Sequence, residues 1–123
     1  MIIGIGTDIT EVYRIEKACG TQAFLMRYFT DKEREILKMK YQSIASNFAV
    51  KESVAKAFGT GFRGFEPKDI EVLRDELGKP YVNLYGKAKE IADTLEINRI
   101  HVSISNVKEF AIAYVVAEKI QEE

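Results

Sequence analysis

Apolar and polar positions along this chain alternate with two different periods, and the changes between them mark out its elements. Residues 2–9 form a β-branched apolar run with two glycines, which predicts a strand closed by Asp8. With side chains alternating, Asp8 shares a face with Gly6, Gly4 and Ile2. Thr10 or Asp8 is the expected cap of a helix starting near Glu11, with Val12, Ile15 and Ala18 spaced for packing and Gly20 as its stop. Residues 23–28 continue helical, and Thr30 with Glu33 three positions later has the form of a capping box opening a helix through Ile36, Leu37 and on to Lys40. The main helix is expected over residues 42–58, followed by a glycine-rich break at 59–64. Strands over 70–74 and 81–84 flank a turn at 75–80, and residues 86–95 read as a helix. Residues 100–105 alternate strictly, 110–117 are a long apolar strand, and 106–109 make a hairpin between them. The tail, 118–123, is expected to be solvated. This order predicts an α+β fold, an antiparallel sheet with the long helix packed on it, as one domain over residues 1–123.

The long helix carries an anomaly. Ile44, Phe48, Ala55 and Phe58 project onto one stripe at 3.6 residues per turn, and Glu52 falls between Phe48 and Ala55 on it, with Lys56 one turn on. A carboxylate facing inward needs a cation or metal as partner. Asp8 is the second carboxylate that completes such a pair, and the two glycines beside it leave room for a backbone or ligand. One strand carboxylate and one helix carboxylate suit a hard cation such as Mg²⁺, with water and phosphate oxygens filling the remaining positions. Two independent surface acids, with Glu52 paired to Lys56, fit the spacing as well.

Composition narrows the classes. Hydrophobic residues make up 46% and charged residues 30% of 123 positions, ordinary for a soluble globular protein. A net charge of −1 gives no global attraction to nucleic acid or anionic lipid. One cysteine, Cys19, and one histidine exclude an internal disulfide and a Cys/His zinc cluster. Cys19 reads as a small half-buried hydrophobe. The apolar runs are too short to span a bilayer, and the start lacks a basic segment and a cleavage site, so the expected compartment is the cytosol.

Other constellations are weaker. Gly4-Ile5-Gly6 lacks the third glycine and following helix of a dinucleotide fingerprint, and Gly59-Thr60-Gly61 lacks the Gly-Lys-Ser/Thr of a P-loop. The second loop could still offer backbone N–H groups to a phosphate, or simply cap the helix. His101 shares a polar strand face with Ser103 and Ser105, which lines a cleft or faces water. Arg14, Lys17 and Arg27 form either a basic patch for an acidic partner or an ordinary solvated face.

In order along the chain, the opening Gly-Ile-Gly-Thr-Asp followed by Arg14, the segment Phe48-Ala49-Val50-Lys51-Glu52-Ser53 with Lys56-Ala57-Phe58-Gly59-Thr60-Gly61, then Gly78-Lys79-Pro80 and the strand His101-Val102-Ser103-Ile104-Ser105 resemble the small, single-domain 4′-phosphopantetheinyl transferases of the holo-[acyl-carrier-protein] synthase type. The resemblance covers nearly the whole chain. It implies the fold of that family and transfer of 4′-phosphopantetheine from coenzyme A to a serine of apo acyl carrier protein, releasing adenosine 3′,5′-bisphosphate. By matching position it makes Asp8 and Glu52 the Mg²⁺ ligands and Lys56 a phosphate contact. It further implies coenzyme A binding by Lys51, Gly59, Gly61, Pro80, Ser105 and Asn106, and carrier docking by Arg14, Lys17 and Arg27. A homotrimer with sites between subunits is implied as well. Glu52, directly or through a metal-bound water, is the expected base, the water route being preferred because a ligated carboxylate is a poor base. The chain departs from the family pattern at Asn47 and Asn106, where many members carry basic residues. Weaker coenzyme A binding, or a 3′-phosphate clamped by Lys40 or Lys51, is the expected consequence. A Mg²⁺-dependent hydrolase of nucleotides or pyrophosphate, using the same three residues with water in place of serine, is one alternative. A degenerate module that only binds the carrier is the other.

Overall fold

The computed structural model describes residues 1–121; Glu122 and Glu123, part of the tail expected to be solvated, lie outside the described residues. Five strands and five helices follow in the order β1 (Ile2–Glu11), α1 (Val12–Ala18), α2 (Gln22–Tyr28), α3 (Asp31–Leu37), α4 (Tyr41–Phe58), β2 (Ile70–Arg74), β3 (Pro80–Leu84), α5 (Gly86–Thr94), β4 (Arg99–Asn106) and β5 (Phe110–Glu118). All pairing is antiparallel, as expected, but it is divided between two sheets: β1-β5-β4 and the hairpin β2-β3.

Sheet register decides what faces the helix. The rows Gly6–Val115–Val102 and Asp8–Ala113–Ile104 point inward, where Ala113 and Val115 are fully buried under α4. The rows Ile5–Val116–His101 and Ile9–Ile112–Ser105 point outward, leaving Ile5, Ile9, Ile112 and Tyr114 exposed. The alternation on β4 was legible from sequence, whereas the apolar-in alternation of β5 and the exposed apolar outer face were not.

The glycines of β1 explain how closely α4 lies on the sheet. A Cβ on Gly6 would stand 1.8 Å from the Ser53 carbonyl oxygen, and one on Gly4 2.0 Å from that of Ala57. Strand and helix backbones are therefore in direct contact, through a helix face of small residues that includes Ala49, Ser53 and Ala57. A second, smaller core under α1 and α2 gathers Ile15, Phe29, Leu37 and Ile44.

Three boundaries differ from expectation, and the first is α3, which stops at Leu37 where Lys38 and Met39 turn left-handed. β1 runs three residues past Asp8, so neither Asp8 nor Thr10 caps α1; Glu11 occupies that position and makes no side-chain cap. Thr10 is buried, and its hydroxyl is committed to Asp8. The tail is also less free than expected: Glu118 ends β5, and the Ile120 N–H donates to Asn98 Oδ1 at 2.7 Å. The capping box of Thr30 and Glu33 is present with both arms.

Candidate active site

α4 is enclosed on almost every side, and beyond its first turn the open positions are Phe48, Glu52 and Lys56. They stand at i, i+4 and i+8, one stripe along the helix. The expected apolar stripe needs correcting here. Ile44, Ala55 and Phe58 are buried, but so are residues all round α4, and Glu52 lies on the one open edge instead of the inward face. A wholly enclosed helix has no single greasy face for periodicity to report.

Asp8 meets that edge. The Gly4 and Gly6 contacts bring β1 against α4, and Asp8 is the next residue on the same strand face. Lys56 Nζ donates to the Thr7 carbonyl oxygen at 2.8 Å and lies 3.5 Å from Asp8 Oδ1. The other Asp8 oxygen accepts the Thr10 hydroxyl at 2.6 Å. Burial first, and the Asp8 charge second, push the Glu52 carboxyl above its ordinary range, while Lys56 and Arg14 pull it back. Strand β1, helix α4 and helix α1 thus converge on a half-open site in which two carboxylates share one close ammonium. Such a site offers two hard oxygen donors beside the Lys56 ammonium and the Arg14 guanidinium. Among the described residues no group of three or more His, Cys, Asp or Glu is placed to hold a metal ion.

The other expected site residues divide. Arg14 and Lys17 are exposed on α1, with Lys17 Nζ 5.0 Å from the Tyr13 ring centroid, and Arg14 is near enough to act on Glu52. Arg27 is exposed on α2, where it lines a separate cavity of about 490 Å³ with Tyr28, Phe62 and Lys87. Gly59 and Gly61 both have left-handed backbones with open space around them, but their N–H groups close α4 by donating to the carbonyls of Lys56 and Ala55. They are not free to cradle a phosphate, because the helix end consumes them.

Lys51 cannot bind coenzyme A. Its side chain is 1% exposed, and its ammonium donates to Glu33 Oε1 at 2.8 Å, to the Pro67 carbonyl at 3.2 Å and to the Ile70 carbonyl. Burial pushes its pKa down while Glu33 opposes that. Asn47 is equally enclosed, donating to Glu33 Oε2 and the Val72 carbonyl, both at 3.0 Å, and accepting from Arg74 at 2.9 Å. Asn47 is thus a buried, fully bonded amide in this chain. Sequence reasoning recognised Glu33 as a capping residue and missed that its carboxylate also anchors Lys51 and Asn47.

Pro80 begins β3 opposite Arg74, beside a cavity of about 380 Å³ lined by Lys32, Ser43, Arg74 and Tyr81. Asn106 is exposed and donates to Ser46 Oγ at 3.1 Å. Ser105 is on the outer sheet face, the opposite side from Asp8. Lys40 is exposed at the start of α4. His101 also faces outward and pairs with Glu118 at 2.8 Å, away from the site. Cys19 is half-buried, and burial raises its thiol pKa.

Comparison with known proteins gives consistent matches. Residues 4–115 match the model of the 4′-phosphopantetheinyl transferase superfamily. A holo-[acyl-carrier-protein] synthase of Lachnoclostridium phytofermentans is 55% identical over 122 residues, covering 99% of this chain and all of that one. The crystal structure of Helicobacter pylori holo-[acyl-carrier-protein] synthase in complex with coenzyme A superposes with a TM-score of 0.84 at 35% identity, covering 93% of this chain and 99% of that one. A Bacillus anthracis holo-(acyl-carrier-protein) synthase, in complex with CoA (3′,5′-ADP), gives 0.82 at 40% identity and covers 98% and 99%.

Proposed function

This chain belongs to the holo-[acyl-carrier-protein] synthases of the 4′-phosphopantetheinyl transferase superfamily, and we propose a role for each residue of its site in that transfer. The reaction moves 4′-phosphopantetheine from coenzyme A to a serine of apo acyl carrier protein. The observation that carries the residue assignment is the convergence of Asp8, Glu52 and Lys56 on the one open stripe of α4.

The serine oxygen forms a bond to the phosphorus bearing the pantetheine arm. The bond from that phosphorus to the bridging oxygen breaks, and adenosine 3′,5′-bisphosphate leaves. Phosphoryl transfer of this kind depends on positioning and charge neutralisation more than on covalent help. Glu52 takes the serine proton across one water, because a carboxylate that also holds a cation is a poor direct base. Lys56, tethered to the Thr7 carbonyl, offsets charge on the pyrophosphate. Asp8, oriented by Thr10, and Glu52 form a donor set of hard oxygens on the open edge of α4 that fits Mg²⁺, which fills its remaining positions with phosphate and water. When bound, Mg²⁺ neutralises the pyrophosphate and stabilises the leaving oxygen. Arg14 and Lys17 give the acidic carrier a basic landing surface next to the site, with Arg27 extending it from α2.

The nucleotide end of coenzyme A is assigned to Pro80, Ser105 and Asn106, with Arg74 and Lys32 of the cavity beside Pro80 supplying cations in place of buried Lys51. Ser105 faces away from Asp8 of its own chain, so one copy does not assemble the whole set. A homotrimer would cover the exposed Ile5, Ile9, Ile112 and Tyr114 and bring outward residues to a neighbour's Asp8. Among the described residues no helix is long and apolar enough to cross a membrane. The cytoplasm and fatty-acid synthesis are the proposed setting.

Intact mass of apo acyl carrier protein after incubation with this protein, coenzyme A and Mg²⁺ tests the reading. A gain of one phosphopantetheine, abolished by EDTA and by Glu52→Gln, is expected. Coenzyme A turnover without carrier would instead make the chain a hydrolase, and a bound but unmodified carrier would make it a binding module.

A further inference from the structure

α4 has to present Glu52 and Lys56 to Asp8, and one residue of rotation, about 100° round the helix axis, would turn Glu52 into the protein interior. Its contact with the sheet favours the observed rotation through small residues, Ser53 and Ala57 lying against the Gly6 and Gly4 backbones. The opposite side adds a polar constraint. Asn47 and Lys51, one turn apart and both fully buried, reach Glu33 on α3 and three carbonyls around β2. Glu33 in turn accepts from the Thr30 and Val72 N–H groups at 3.1 and 3.3 Å, so neither carboxylate oxygen is left over. Among the described residues no buried side-chain nitrogen or oxygen lacks a partner. Every donor in this network has one place to point, and a rotated α4 would strand a buried ammonium, an amide and a carboxylate together. Buried polar groups of this kind act as register-setting devices more than as sources of stability.

We infer that Lys51 and Asn47, held by Glu33, are positioning residues that set the axial rotation of α4 and thereby keep Glu52 and Lys56 turned toward Asp8. They touch no reactant themselves. This rests on the transfer reading for its catalytic consequence, but not for its geometric one.

The test pairs Glu33→Gln with Lys51→Met. Gln keeps an oxygen for the capping Thr30 N–H but turns its amide toward the Asn47 and Val72 donors, which removes the network's fit, while Met preserves volume. Val54→Ala, which removes buried methyl groups of α4 without touching the network, is the comparator. In a Cys19→Ser background carrying Glu52→Cys, thiol labelling should change at least fivefold when the network is removed and stay within twofold in Val54→Ala. With Glu52 intact, kcat per folded molecule should fall at least thirtyfold in the network variant, with the KM for apo carrier within twofold, and stay near wild type in Val54→Ala. Unchanged labelling at position 52, or equal loss of kcat in both variants, would overturn the inference. Should the double variant not fold, Asn47→Leu takes its place, with a labelling change of at least twofold expected and no change overturning the proposal. A wild-type chain without transfer activity would sink the functional reading and leave the labelling result to decide this one.

Discussion

Helix α4 carries two lysine–carboxylate groups barely more than a turn apart, and they behave in opposite ways. Lys51 and Glu33 are sealed from water, and every lone pair and proton of that pair has a partner within the protein. Lys56 is half exposed and shared between Asp8 and Glu52, with Arg14 near Glu52 and the Glu52 carboxyl reluctant to ionise. The first group is complete, so it can only hold structure. The second is incomplete, and the proposed cation and pyrophosphate would supply the partners it lacks. Satisfaction of the ions, more than their identity, separates scaffold from site.

The sharpest break of that comparison is Glu52→Gln. Transfer should fall about a thousandfold, within the span for loss of a proton acceptor, while the fold remains, as read by carrier mass and circular dichroism. Lys51→Ala should do the reverse, costing about 3–5 kcal/mol in urea unfolding because it leaves Glu33 buried and unpaired. Mg²⁺ should separate the groups by thermal melting. At a hundredfold over Kd it should stabilise wild type by about 2.7 kcal/mol and leave Asp8→Asn, Glu52→Gln unmoved.

Without metal, pH gives the same separation. The folded state holds the Glu52 proton more tightly than the unfolded chain does, so its contribution is greatest below the unfolded carboxylate value. That contribution is lost as pH rises through the raised folded value. Glu52→Gln should therefore melt above wild type at pH 7.5, with the gap closing toward pH 4. The smallest effect is at the rim: Arg14→Glu should raise the KM for apo carrier about tenfold at low salt and little at high salt, with kcat nearly unchanged.

The local elements were legible because each has a near-neighbour cause. The capping box at Thr30 and Glu33, the hairpin at residues 106–109 and the alternation of β4 all appear where expected. Asp8, Glu52 and Lys56 were also found together, through the oddity of a carboxylate among apolar helix positions and the match of motif order. What misled was the inward direction given to Glu52. Lys51 misled too, being adjacent in sequence to Glu52 yet turned about 100° away into the core. Nothing local distinguishes a lysine that will meet phosphate from one that will meet a glutamate 18 positions earlier.

Sequence by itself determined the element order, the antiparallel α+β class, the small residues that let β1 and α4 touch, and the two carboxylates with their lysine. Periodicity, caps and turn residues act over a few positions, so they can be read from a few positions. Only the tertiary structure decided which face of α4 stays open, which of its lysines is spent inside, and that the glycine N–H groups at its end close the helix. Those outcomes depend on packing and hydrogen-bond satisfaction between segments far apart in the chain, where each buried polar group must find its partner in space.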